Sequence, residues 1–282
     1  MASNDDAWAK LAQTWKQEQR SMQQASIDSA RELVAEVNKV APLNKAESIH
    51  DIGCGNGTVT SELLKQFGSR MPKSTELLAS DISPSMIAEL KERQKQSVQD
   101  GENDWARLSI KAFDAGDMRE IGDNTFTHVL AGNVLYAVPD YRRVLSEVRR
   151  TLKPGGVFGY SVNAVAPWVS LMGFIVHVRP DKVAPYPPPI WHTAESCIGL
   201  LKEAGFSDVQ GKTVDIYMHY DSYEGVVDFL VGVLPFMPRL MSDMTHEEVA
   251  RSKEVMVEHL KKESPSLPGK MRGEAAIVTG KK

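Results

Sequence analysis

Four short clusters in this 282-residue chain carry groups able to hold a ligand, and they come in a telling order. The first is Asp51-Ile-Gly-Cys-Gly-Asn-Gly57. Its glycines at 53, 55 and 57 tolerate positive φ and let a ligand approach the main chain closely. The second is Asp81, 28 residues after Gly53, where a carboxylate at a strand end accepts hydrogen bonds from both hydroxyls of a ribose. The third is Phe113-Asp114-Ala115. An aspartate there accepts from the exocyclic amine of an adenine, while a backbone N–H addresses a ring nitrogen. The fourth is Leu130-Ala-Gly-Asn-Val134, whose small residues allow backbone carbonyls to reach an ammonium group. Singly, each aspartate is an ordinary turn residue. In order with the glycine loop, they read as contacts to one cofactor.

Other assignments of these residues are weaker. A nicotinamide dinucleotide loop follows G-x-G-x-x-G, but Thr58 occupies the place of its third glycine. Cys54 reads as small, inert packing. His50 and His128 alternate within strands and read as core histidines. His192, after Trp191, is the best histidine for a substrate pocket. His177, His219, His246 and His259 have no ligand spacing, so no metal is assigned. Asn133-Val-Leu-Tyr136 has the outer letters of N-P-P-Y without its prolines, a chance coincidence.

Elements able to position these clusters are legible around them. Apolar residues at helical spacing (Trp8, Leu11, Trp15; then Ile27, Ala30, Leu33, Val34, Val37) predict two N-terminal helices before Pro42. Strands are predicted over 48–52, 76–80, 108–113, 126–130 and 157–162, with helices after the glycine loop, from Ser83-Pro84, and over 139–152. Lys153-Pro-Gly-Gly156 is expected to stop the last of these. A helix over 193–204 and strands at 208–218 and 275–279 complete the pattern. This alternation predicts an α/β fold: a seven-stranded, mostly parallel sheet with helices on both faces. Residues 1–44 form a helical N-terminal segment, 45–220 the cofactor-binding core, 221–267 a helical insert before the last strand and 268–282 that strand, all one domain. The N-terminal helix is expected to act as a lid over the glycine loop.

Composition narrows the class further. Hydrophobic residues make up 42 % and charged residues 25 %, which excludes a largely disordered chain. Two cysteines exclude a disulfide scaffold. The first twenty residues lack a secretory apolar stretch and no apolar window reaches membrane-spanning length, so a cytoplasmic protein with no membrane partner is expected. The balance of 33 basic against 37 acidic residues makes nucleic acid a poor partner.

The ordered clusters resemble the class I S-adenosylmethionine-dependent methyltransferases over roughly residues 45–215. The resemblance implies S-adenosylmethionine as cofactor. Gly53, Gly55 and Asn56 would line its methionine part, with Asp51 nearby. Asp81 and Ile82 would hold the ribose and one adenine face, Asp114 and Ala115 would read the adenine edge, and Asn133 would sit by the sulfonium. Phe126–Val134, Trp191-His192 and Glu224–Asp228 extend the likeness to the small-molecule methyltransferases of fungal secondary metabolism, a group similar to the gliotoxin-type thiol methyltransferases. A small-molecule acceptor methylated on a heteroatom is implied. The missing acid–base pair tilts the choice toward a thiol or an amine already poised to react; a thiol is the leading expectation, with nitrogen or oxygen as alternatives. A protein or RNA methyltransferase and a non-catalytic cofactor-binding regulator are the competing classes.

Overall fold

The computed structural model describes residues 23–183, 187–234 and 237–282. The N-terminal Trp8–Trp15 helix and its lid role lie outside them. The chain divides into two compact units. One gathers Ser26–Ala164, Pro189–Val214 and Glu274–Lys282; the other gathers the described residues of Val165–Pro188 and Asp215–Gly273.

The sheet has seven strands in the order β3-β2-β1-β4-β5-β7-β6. They are β1 (Ser48–Ile52), β2 (Glu76–Asp81), β3 (Leu108–Ala112), β4 (Phe126–Gly132), β5 (Leu152–Val165), β6 (Ser207–Tyr220) and β7 (Gly269–Lys281). The five strands from β3 to β5 pair in parallel. Gly155 and Gly156 exchange backbone bonds with Lys282, so β7 ends where β5 begins and runs antiparallel to it. β1 is buried along its whole length, as a central parallel strand covered on both faces must be. The predicted seven-stranded, mostly parallel α/β fold is the one observed.

Helices follow the sequence signals closely. In α1 (Gln24–Val40), Leu33, Val34 and Val37 are fully buried. Val37 lies so near the sheet that a Cβ on Gly159 would come within 2.3 Å of it. After α2 (Thr58–Phe67), α3 (Pro84–Gln99) starts with Pro84 at its first position and Ser83 accepting from the Met86 N–H. α4 (Tyr141–Thr151) is capped by Asp140. α4 stops ahead of Lys153-Pro-Gly-Gly156 as expected, but the segment itself already belongs to β5, which begins at Leu152 and not at 157. The pairing with β4 shifts register there, and Lys282 supplies the backbone partners that make it a strand. α6 (Ala194–Glu203) is capped by Thr193 and matches its predicted span.

In the second unit, α5 (Pro167–Met172), α7 (Tyr223–Val233) and α8 (His246–Glu263) are the main helices. α8 opens on a capping box made by Thr245 and Glu248. The Tyr223 hydroxyl donates to the Ser264 carbonyl at 2.6 Å, tying the start of α7 to the end of α8. The described residues between β6 and β7 are thus mainly helical. No described helix is long and apolar enough to cross a membrane.

Candidate active site

Parallel register brings the four clusters to one edge of the sheet. Asp51 pairs with Ala79 on one side and Leu130 on the other, and Asp81 pairs with Ala112. The glycine loop, Asp81, Asp114 and Asn133 therefore all follow the carboxyl ends of adjacent strands, where open α/β sheets take ligands.

The loop is tied down by its neighbours. The Cys54 N–H donates to the Ser80 carbonyl at 2.9 Å, and the Gly57 N–H to the Cys54 carbonyl at 2.8 Å. Asp81 clamps it: one carboxylate oxygen accepts the Gly55 N–H and the other the Ser83 N–H, both at 2.9 Å. Burial raises the Asp81 pKa, and these N–H groups partly offset that. The glycines have separate reasons. A Cβ on Gly53 would lie 2.5 Å from Val134, and one on Gly57 would lie 2.4 Å from Leu90. Gly55, at φ +53°, would meet nothing within 4 Å. Packing requires the first two; Gly55 faces open space.

Asp51 is 2 % exposed. Its Oδ2 accepts from the Thr60 N–H at 3.0 Å and the Thr60 hydroxyl at 2.6 Å, while Oδ1 is buried without a hydrogen-bond partner. Burial pushes this carboxyl up to about 7, against the two Thr60 bonds and with a further push from Asp81. Burial, Asp51 and Asp81 raise the Cys54 thiol well above its ordinary value. A thiol so held is protonated and unreactive, in keeping with a packing role.

The remaining sequence-predicted residues take varied places. The Asn56 side chain accepts the Thr58 hydroxyl at 3.1 Å, and its carbonyl accepts from Arg93 at 3.1 Å. Ile82 is 58 % exposed, an apolar surface beside Asp81. Asp114 accepts the Gly116 N–H at 2.7 Å, which fixes its carboxylate at the end of β3. Ala115 is buried in the core cluster around Ile52. Asn133 stands at φ +58°, donates its N–H to the Ser161 carbonyl at 2.9 Å, and holds a buried Oδ1 without a partner. His50 and His128 are core residues. His50 lies between Phe113 and Phe126 with its Nε2 on the Ser80 hydroxyl, and His128 Nε2 meets the Ala41 carbonyl.

Several residues escaped the sequence reading. Thr60 orients Asp51, and Arg93 braces the loop by reaching the Asn56 carbonyl and, at 2.8 Å, the Ser61 hydroxyl. Ser161 Oγ and Asn163 Oδ1, on the β5 face next to Gly132, are buried without partners. Only the period-two spacing of Ser161 and Asn163 hinted that they share a face. Nothing in a polar stretch of α3 singles out Arg93.

Comparison with known proteins agrees with this geometry. The family described as a methyltransferase domain matches residues 50–158, from the glycine-loop strand into β5. Methyltransferase ucsB of an Acremonium species is 28 % identical over 97 % of this chain and 94 % of its own. Residues 50–158 thus carry a methyltransferase domain, and the chain resembles the S-adenosylmethionine-dependent methyltransferases. A second relative, methyltransferase tpcH of Aspergillus fumigatus, is 27 % identical over 59 % of this chain and 60 % of its own. Phosphoethanolamine N-methyltransferase 2 of Haemonchus contortus, solved with S-adenosyl-L-methionine, shares the fold with a TM-score of 0.50 and 17 % identity over 89 % of this chain and 52 % of its own. The family match spans the whole candidate edge, from His50 through Asn133 to Phe158.

Proposed function

We propose that this methyltransferase methylates a heteroatom of a small secondary-metabolite-type acceptor, and that a thiol sulfur is the atom. In this reading Gly53, Gly55 and Asn56 line the methionine end of the cofactor, with Asp51 beside it. Asp81 accepts the ribose hydroxyls, the exposed Ile82 covers one adenine face, and Asp114 and the Ala115 backbone meet the adenine edge. Asn133 faces the sulfonium end.

The observation that carries the cofactor assignment is the pairing of open and orphaned groups on one edge. Gly55 has free space where a side chain would stand. Asp51 Oδ1 and Asn133 Oδ1 are buried acceptors with no protein donor. Leaving a buried acceptor unpaired costs about 1–3 kcal/mol, and an ammonium-bearing ligand removes that cost. Two fungal methyltransferases among the relatives support a secondary-metabolite acceptor.

The cofactor supplies a methyl carbon made electrophilic by its sulfonium. The chain contributes position, holding the acceptor in line at about 3–3.5 Å. Choice of atom follows from proton handling. In this reading the free Asp51 oxygen is taken up by the methionine end of the cofactor, and burial pushes the Tyr136 hydroxyl up to about 12, which keeps it protonated. Neither is then free to take a proton from an alcohol. A thiol ionises unaided near 8.5, so positioning alone suffices for it. Labelled S-adenosylmethionine offered with panels of dithiols, amines and phenols tests the reading. Label recovered on sulfur supports it. Label only on nitrogen or oxygen replaces the thiol, and cofactor binding without turnover on any panel points to a regulator.

A further inference from the structure

Helix α2 begins without a side-chain cap of its own. Gly57 is its N-cap, and no acid stands in its first turn. The start of a helix leaves N–H groups without partners and favours a negative charge. Asp51 answers both needs from β1: its Oδ2 accepts the Thr60 N–H at 3.0 Å. The Thr60 hydroxyl adds a second bond to the same oxygen at 2.6 Å. Thr60 is 2 % exposed, in a helix whose Val59, Leu63 and Leu64 are buried as well. A valine would fill such a place with the same shape and no hydroxyl to satisfy. The hydroxyl that stands there donates to Asp51 alone among the described residues.

Two donors on one oxygen fix how the carboxylate is turned, and they leave Oδ1 buried without a partner. Burial disfavours the charge on Asp51, and the Thr60 hydroxyl is the strongest force against that, ahead of the Thr60 N–H. The titratable groups on the surrounding elements add little. Burial keeps His50 of β1 and His128 of β4 uncharged, and the Cys54 thiol stays protonated. Glu62 of α2 pairs with Arg31 of α1 at 3.5 Å, and Arg93 of α3 is engaged by the Asn56 carbonyl and the Ser61 hydroxyl. Asp81 of β2 presses on Asp51 as a like charge. Ionisation of Asp51 therefore leans on Thr60.

We propose that Thr60 is a positioning residue for cofactor binding: by holding Asp51 Oδ2 it leaves Oδ1 as the oxygen that meets the cofactor's ammonium, and it keeps that carboxylate ionised at the pH where the cofactor binds. The inference rests on the placement of Asp51 beside the methionine end proposed above. Ammonium and proton compete for the same carboxylate, so a cation that binds protonated Asp51 displaces its proton. Hydrogen bonds to the charged form of an acid favour that form. Without the Thr60 hydroxyl only one N–H opposes burial, and Asp51 holds its proton to higher pH. The cofactor then lacks its counter-charge near neutrality. Thr60 thus acts on the cofactor through Asp51, from the first turn of a helix, without touching the ligand.

The test is the affinity of the full chain for S-adenosylhomocysteine, which carries the same ammonium, by titration calorimetry from about pH 6 to 8.5. The parent is compared with Thr60→Val, Thr60→Ser and Asp51→Asn. Thr60→Val is expected to bind at least tenfold more weakly near neutral pH, with its gain in affinity moved upward by about one pH unit, the shift that a tenfold loss of ionised carboxylate represents. Thr60→Ser keeps the hydroxyl and should restore both the affinity and the profile. Should Thr60→Val not fold, Thr60→Ala carries the same expected shift. A parent profile that is flat, a folded Thr60→Val that follows the parent, or a loss that is equal at every pH overturns the proposal. Asp51→Asn separates that failure from failure of the placement. If it binds as the parent does at every pH, the cofactor does not meet Asp51 and both readings fall. If it binds weakly with a flat profile while Thr60→Val follows the parent, the placement stands and the role of Thr60 alone falls.

Discussion

Replacing Gly55 separates a residue that faces open space from a packing residue within one loop. Gly55 stands at φ +53° with nothing within 4 Å of an added Cβ. Alanine there costs only the left-handed backbone conformation, about 1–2 kcal/mol. In a protein this size that lowers Tm by a few degrees. Gly53→Ala carries the same backbone cost and drives a methyl group to 2.5 Å from Val134. Overpacking of that kind adds about 1–3 kcal/mol. Gly57→Ala meets Leu90 at 2.4 Å, a flexible side-chain end that can yield in part.

Stability and binding should therefore rank the glycines differently. Gly53→Ala should lose the most stability and Gly55→Ala the least, while Gly55→Ala should weaken S-adenosylhomocysteine at least a hundredfold, or about 2.7 kcal/mol. Gly55→Val should abolish binding, since a β-branched residue at this φ is also a backbone outlier. Thermal unfolding and titration calorimetry on each variant measure both quantities. A folded Gly55→Val protein that binds S-adenosylhomocysteine within threefold of the parent refutes the placement of the cofactor on this loop.

Asp81→Ala should weaken S-adenosylhomocysteine by about 3–4 kcal/mol, given about 1.5–3 for each charge-assisted bond to the ribose, and should also loosen the Gly55 and Ser83 contacts; calorimetry and hydrogen exchange across residues 53–57 read the two effects. Asp51 titrates near 7 when folded and near 4 when unfolded, so its contribution to stability is full below about pH 4 and lost as pH rises through 7. Buried His50 and His128 have lowered values and push the opposite way, so the effect is read as the Tm difference between the parent and Asp51→Asn from pH 5 to 8, and a flat difference would discount the buried carboxyl. A cationic ligand beside Asp51 should release its proton, making S-adenosylhomocysteine bind more tightly at pH 8 than at pH 6 in the parent but not in Asp51→Asn. Asn133→Gly keeps the positive φ and removes the orphaned amide, so it should fold normally and lose turnover at least tenfold in the labelled-cofactor assay.

Local rules account for what was legible in the sequence. Glycine, Ser83-Pro84 and alternating apolar residues state backbone requirements that hold wherever the chain folds, so β1, its loop, α3 and the order of the clusters were readable. The carboxyl edge followed because parallel register places Asp51, Asp81 and Asn133 at strand ends once the strands are known. Long-range partners left no such trace. Lys282 pairs with Gly155 and Gly156 across more than a hundred residues, so the segment that stops α4 also opens β5. Arg93 reaches the glycine loop from a helix whose sequence shows only polar residues.

Chemistry and backbone form were legible to different degrees. Asp81 was readable as a ribose acceptor by its place after a strand, but its clamp on the Gly55 and Ser83 N–H groups needed the fold. One carboxylate therefore shapes the loop and, in the proposed placement of the cofactor, would also meet the ribose, which would couple loop order to binding. Asp51 divides its oxygens more sharply, with Oδ2 committed to Thr60 and Oδ1 left bare. A scaffold that satisfies one oxygen and buries the other without a donor is poised for a ligand rather than for stability alone.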